Sequence, residues 1–177
     1  MAMYGAFVLI PNFSTYFQYN LGFPRENLGT LYLAGGVVSF GIVRVAGIWV
    51  DKLSATHVSV AGTLLFAAML ALQFVVAVAI PAWVFFVCFM TASSVRNVSL
   101  TSASSRVPAP QERARFMSAQ SAMQHLAASL GAFTGTLLLS EASDHQLVGM
   151  NQLATVSIAL ALTMPFMLHH IERLSAQ

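Results

Sequence analysis

The sequence predicts an all-α membrane protein that crosses a lipid bilayer six times. Hydrophobic residues make up 57% of the 177 residues and charged residues only 8%, whereas a typical soluble domain is about 25% charged. The mean hydropathy is +0.73. The apolar residues fall into runs of about 20, the length at which a helix crosses a bilayer core of about 30 Å. The chain therefore belongs in lipid, because it has too little polar surface to cover a soluble globule.

Six runs have this length, and turn-forming residues separate several of them. Gly22 and Pro24 break the first link, Pro81 the third, and Pro108 and Pro110 the fourth. Together the spans predict one six-helix bundle over residues 1–177. The predicted spans are Met3–Asn20, Asn27–Val50, Val58–Ile80, Ala82–Ser105, Ala114–Ser140 and Val148–His170.

The distribution of basic residues predicts the orientation. The second link, the fourth link and the C-terminus lie on one side of the predicted bundle, and Arg25 is the basic residue of the opposite side. By the positive-inside rule, the basic side is cytoplasmic. We therefore expect a multi-pass protein of the cytoplasmic membrane with both termini in the cytoplasm. The basic residues on that side are Lys52, Arg106, Arg113, Arg115 and Arg173.

The first span carries polar residues at helical spacing. Asn12, Tyr16 and Tyr19 recur at i, i+4 and i+7, and Pro11 frees a backbone carbonyl near the middle of the span. Such a stripe is typical either of a water-filled path or of hydrogen bonding between helices. The first, fourth and fifth spans are the polar ones, so we expect them to face protein or water, and the third and sixth to face lipid.

Two spans contain an arginine. Arg44, in the second span, lies about 10 Å along the helix from Asp51 and can extend its side chain toward the cytoplasmic face. Arg96, in the fourth, lies about 14 Å from the inner end of its helix. A cation at that depth either faces a cavity or ties helices together through hydroxyl and amide groups.

The fifth span supplies a polar patch. Gln120, Ser121, Gln124 and His125 fall on a wedge of about 140°, at roughly the depth of Arg96. The glutamines predict contact with a solute. His125 has two interpretations, since it can exchange a proton near neutral pH or remain neutral and hydrogen-bonded to a neighbouring helix.

Several classes of function find no support in the sequence. All six acidic residues lie in links or near the C-terminus, so no carboxylate is expected at mid-membrane. The sequence contains no G-x-S-x-G, H-E-x-x-H or phosphate-binding loop. We therefore predict no enzyme, no catalytic residues, and no metal or cofactor. The net charge of +2 comes from few charges of either sign, so it predicts no surface for nucleic acid.

The second and fourth links carry a family resemblance. Gly47, Asp51 and Lys52 resemble the Gly, acid and base of the cytoplasmic loop signature of the major facilitator superfamily of secondary transporters, with Ser54 where a Gly is usual. The fourth link, residues 108–113, resembles the Pro-x-x-x-Arg run that precedes the eleventh helix in drug and sugar efflux members. The chain thus looks like helices 7–12 of such a transporter, the C-terminal half of a fold built from 3+3 inverted repeats.

This resemblance implies a secondary active transporter that moves a small solute by alternating access, with an efflux-type permease as one version. It further implies a complementary N-terminal six-helix half as partner, and it leaves open whether a proton is the coupling ion. Gly47, Asp51, Lys52 and Arg113 would form a cytoplasmic gating loop. The predicted substrate-cavity residues are Asn12, Tyr16, Arg96, Gln120, Gln124 and His125.

The alternative is a membrane protein that does not transport, either a truncated product or an assembly partner. The DNA sequence upstream of Met1 distinguishes this alternative from the carrier. Six further hydrophobic spans in frame would favour the carrier, and their absence would favour the alternative.

Overall fold

The structure, a computed structural model, describes residues 2–175, with side chains over 2–173. It is a helical bundle with one short β-hairpin. The strands β1 (Ser140–Glu141) and β2 (Leu147–Val148) pair antiparallel, with Ser140 opposite Val148. The α-helices are α1 (Ala2–Phe7), α2 (Phe13–Thr15), α3 (Leu28–Lys52), α4 (Ala55–Leu70), α5 (Ala82–Ser105), α6 (Arg113–Leu138) and α7 (Met150–Ser175).

Among the described residues, four helices are long and apolar enough to cross a membrane. They are α3 with the 3₁₀ turn before it, α4 with the π turn Ala71–Val75 after it, α5, and α7. The fifth predicted span, α6, has 26 residues, but its first half is polar. The predicted spans at Ala82–Ser105 and Asn27–Val50 match the observed helices to within two residues. The third predicted span, Val58–Ile80, was placed too late in the chain, because Ser54 starts α4 at Ala55.

The first predicted span is broken rather than continuous. After α1 the chain forms a 3₁₀ turn at Ile10–Asn12, then α2, then a π turn at Tyr16–Asn20. Pro11 is the physical reason, since proline donates no backbone hydrogen bond and its ring clashes with the carbonyl four residues earlier. The segment still follows the length of the bundle. Ala2 borders a cavity with Ser104 near the end of α5, and Asn20 bonds to Leu147 of β2.

An aromatic cluster joins the first segment to α4 and α5. Phe13 is fully buried and lies edge-on to Phe85 and Phe89, with ring centroids 5.5 and 4.9 Å away. Such pairs contribute about 0.5–1.5 kcal/mol each beyond the area they bury. Gly35 of α3 leaves room for the neighbouring Phe86, because a Cβ at Gly35 would lie 2.5 Å from the Phe86 ring.

The structure also changes the expectation for the third span. Residues 55–75 have the largest buried share of the four apolar helices, 44%, so this span is more central than its polarity predicted. Ser59, Thr63 and Gln73 lie on its buried face, where α4 meets α5 and α7. The opposite face is apolar and open, with Val60 and Leu64 exposed.

The links meet at two ends of the bundle. At one end, Arg106 of the fourth link pairs with Asp51 at 3.5 Å, and Glu172 of α7 accepts backbone hydrogen bonds at the start of α4. At the other end, the Asn20 side chain both donates to and accepts from the backbone of Leu147, at 3.0 and 2.9 Å. The first, third and fifth links share this second end, where Phe23 lies against Trp83.

Candidate functional site

The polar side chains of α5 open onto three adjoining cavities. The α3–α5 cavity has a volume of about 460 Å³, the α1–α5 cavity about 350 Å³, and the α5–α6 cavity about 310 Å³. Ser94 and Asn97 line both of the first two. Ala2 and Met3 line both of the last two. The α1–α5 cavity therefore adjoins each of the other two.

Arg96 lines the α1–α5 cavity, and its side chain is only 3% exposed. Its guanidinium carbon lies 4.3 Å from the centroid of the Phe66 ring, a cation–π contact that is strongest where water is excluded. Among the described residues, its Nε atom has no hydrogen-bond partner. Gly62 of α4 makes room for the arginine stem, because a Cβ there would lie 3.1 Å from Cγ of Arg96.

Two predicted residues of α6 line the next cavity. Gln120 and Gln124 border the α5–α6 cavity together with Leu100 and Ser104 of α5. The Oε1 atom of Gln120 is buried and has no hydrogen-bond partner within the described part of the chain. A buried amide oxygen without a partner is costly, so it is available to a donor from outside the chain.

The other three predicted cavity residues lie elsewhere. Tyr16 accepts a hydrogen bond from Nε2 of Gln73 at 3.2 Å, and Nδ2 of Asn12 contacts the carbonyl of Val8 within the first segment at 3.4 Å. These bonds support the interpretation of that stripe as contacts between and within helices. His125 lies on the exposed face of α6. None of the three borders the cavities described here.

Several polar residues of α5 that line the cavities were not predicted from the sequence. Ser93, Ser94 and Asn97 line the cavities beside Arg96, and Thr101 continues the row. The Oγ of Ser93 is buried, and no residue that the structure describes forms a hydrogen bond with it. The signal was present in the sequence, since polar residues at i, i+1, i+4 and i+8 share one face of a helix.

The predicted gating-loop residues lie at the end of α3 and the start of α6. Asp51, Lys52 and Arg113 are exposed, and Asp51 is paired with Arg106 of the fourth link rather than with Arg113. Gly47 lies one turn before Asp51, and no atom of the described residues lies within 4 Å of the position its Cβ would take. Exposed pairs such as Asp51–Arg106 contribute at most about 1 kcal/mol, so this contact alone does not lock the end of the bundle.

One comparison with known proteins gives a match. The family model described as Major Facilitator Superfamily matches residues 1–173. No curated protein and no solved structure matches the chain.

Proposed function

The chain belongs to the major facilitator superfamily, whose members are membrane transporters, and from this we propose that it forms one half of a secondary active transporter for a small solute. The half corresponds to helices 7–12, with six crossings and both termini in the cytoplasm. Solute is moved by alternating access, in which one six-helix half rocks against the other around a site near the bilayer midplane.

The observation that carries the proposal is the buried cation beside the cavities of α5. Arg96 lies about 14 Å inside its helix, is 3% exposed, and borders an open volume of about 350 Å³. Ionisable residues at such depth usually mark a solute or ion path. Gln120 and Gln124 line the next cavity, so we assign these three residues to the solute site. Asn12, Tyr16 and His125 remain candidates for a complete transporter, in which the second half adds further surfaces.

A complementary six-helix half fits the open face of α3. That helix touches the rest of the bundle through a narrow stripe, with Leu31, Gly35, Ala46 and Val50 as its buried residues. On its other side Phe40 is 83% exposed. A helix of the second half, or lipid at its margin, would cover this apolar surface.

The link residues support a role at the cytoplasmic end. Asp51 and Arg106 join the second and fourth links, and Lys52 and Arg113 stand exposed beside them. Rocking of the halves would rearrange such weak, solvated contacts at little cost. We assign Gly47, Asp51, Lys52 and Arg113 to this movable inner surface.

The experiment is transport by the complete gene product in membrane vesicles, screened against neutral, anionic and cationic solutes. Arg96→Leu should abolish uptake or efflux of the transported solute while the protein still reaches the membrane, because the cavity loses its buried charge. Arg25→Gln, at an exposed position on the opposite end of the bundle, is the matched control and should transport normally. Full activity of Arg96→Leu would remove Arg96 from the solute site.

A further inference from the structure

We propose that the solute carries a carboxylate and that this carboxylate is the counter-ion of Arg96 in the α1–α5 cavity. The inference rests on the proposed transport function and adds the chemical class of the solute. The carboxylate would pair with the guanidinium, and the remainder of the solute would lie against the apolar wall of the cavity.

The positive charge of Arg96 is buried. A guanidinium taken out of water needs a counter-ion, because the cost of desolvation is several kcal/mol even after relaxation. The acids of the chain that have contacts use them elsewhere. Asp51 pairs with Arg106, Glu141 with His145, and Glu172 with the backbone of α4. Asp144 accepts the backbone N–H of Gln146, and Glu26 and Glu112 lie in the links, so no acid among the described residues is the partner of Arg96.

The donors of Arg96 and Ser93 are placed to bind a carboxylate. The guanidinium carbon lies over the Phe66 ring, 4.3 Å from its centroid, and in the plane of the guanidinium Nε has no hydrogen-bond partner among the described residues. Carboxylates bind arginine in that plane through two parallel hydrogen bonds. Ser93 lines the same cavity, and its buried Oγ has no hydrogen-bond partner in residues 2–173. The hydroxyl can donate to the same carboxylate.

The size and the polarity of the α1–α5 cavity match those of a small organic acid. The cavity volume of about 350 Å³ lies at the small end of the roughly 300–1,000 Å³ of ligand sites. Met3 and Phe7 of α1 and Ile10 of the following 3₁₀ turn form one side, and Met90 of α5 completes the apolar part. A small organic acid fits this combination, with a polar contact at one end and apolar contacts along the other. An inorganic anion would leave the apolar wall of the cavity exposed to water, and a cationic solute would be repelled by the charge of Arg96.

The test uses benzoate and benzamide as probes, which have nearly the same shape and differ in charge. The purified complete gene product in detergent is heated with each probe, and the unfolding midpoint is recorded. Benzoate should raise the midpoint in a concentration-dependent way, because a ligand that binds the folded state stabilises it. Benzamide should not. Arg96→Gln should remove the benzoate effect.

Arg96→Lys is the second variant, since it keeps the charge if the glutamine variant does not fold. It should weaken benzoate binding about tenfold or more, because an ammonium cannot make the paired hydrogen bonds. Ser93→Ala should weaken it by a smaller factor. Arg25→Gln should bind benzoate as the unaltered protein does.

The outcomes separate this inference from the transport proposal. Transport of a neutral or cationic solute that depends on Arg96, with no stabilisation by benzoate, would overturn the inference and leave the carrier standing, and it would place the counter-ion in the second half. Stabilisation by benzoate through Arg96 without transport of any solute would overturn the carrier and leave a carboxylate-binding site at Arg96. Equal effects of benzoate and benzamide would also overturn the inference.

Discussion

Ser54 shows how a single residue can be held in an unfavourable conformation by the helix it begins. Its φ is 144° and its ψ 158°, a region that glycine occupies readily and other residues rarely. Its Oγ accepts the backbone N–H of His57 at 3.3 Å, so it caps α4. The resemblance to the family loop placed Ser54 where a Gly is usual, and the backbone conformation explains why glycine suits the position.

Two substitutions separate strain from capping at this residue. Ser54→Gly should stabilise the protein by about 1 kcal/mol, because release of about 1–3 kcal/mol of strain exceeds the few tenths lost with the cap. Ser54→Ala should destabilise it, because the strain stays and the cap is lost. Thermal unfolding in detergent measures both. If the thermal unfolding midpoint were lower for Ser54→Gly than for Ser54→Ala, the backbone of Ser54 would not be strained.

Gly35 offers a second test at the residue scale. Gly35→Ala should cost about 1–3 kcal/mol, because the new Cβ meets the buried Phe86 ring at 2.5 Å. Phe86 cannot move easily, since it packs between Phe17 and Tyr32. Gly29→Ala on the same helix is the control, with open space around its Cβ. Thermal unfolding should show a lower midpoint for Gly35→Ala alone.

At the scale of the element, the start of α4 depends on a residue distant in sequence. Oε1 of Glu172 accepts the backbone N–H of Ala55 at 2.9 Å and that of Thr56 at 3.3 Å. The first N–H groups of a helix lack partners within it, and a negative charge there also interacts favourably with the helix dipole. The last helix of the chain thus fixes the first turn of the third predicted span.

Removing this cap should loosen the contact between α7 and α4. Glu172→Gln keeps an acceptor but loses the charge, and we expect a loss of about 0.5–1 kcal/mol in the free energy of unfolding. Glu172→Ala should lose about 1–3 kcal/mol. Amide hydrogen exchange at Ala55 and Thr56 should rise in parallel. Glu112→Gln is the matched control, because Glu112 begins α6 without a side-chain capping bond, and it should leave that exchange unchanged.

At the scale of the whole molecule, the number of crossings depends on the polar helix α6. If α6 crosses the bilayer, the fourth and fifth links lie on opposite sides, and the basic fourth link is cytoplasmic. In a Cys88→Ser background, Gln146→Cys should react with a membrane-impermeant maleimide on intact cells. Val107→Cys, also exposed, should react only after permeabilisation. Reaction of both from the same side would mean that α6 does not cross.

The sequence by itself determined the approximate position of the apolar segments, because span length, turn residues and charge distribution are local properties. It therefore predicted both ends of α5, and the ends of α3 and α6 to within two residues. Helix α7 instead runs to Ser175, past its predicted end at His170, and Asp51 and Glu172 lie within helices although the sequence predicted every acid outside the spans. It did not predict the hairpin of β1 and β2, since two-residue strands leave almost no pattern. The break at Pro11 was visible in the sequence, but the turns around it were not.

The tertiary structure alone decided which polar residues share a cavity. Helical spacing grouped Asn12 with Tyr16, and Gln120 with His125, but spacing gives only a direction around one helix. Which neighbour meets that direction depends on how the helices pack, and here Gly62 lets Arg96 lie across Phe66. Packing thereby turned His125 outward, tied Tyr16 to Gln73, and brought Met3 and Phe7 to the cavity that Arg96 lines.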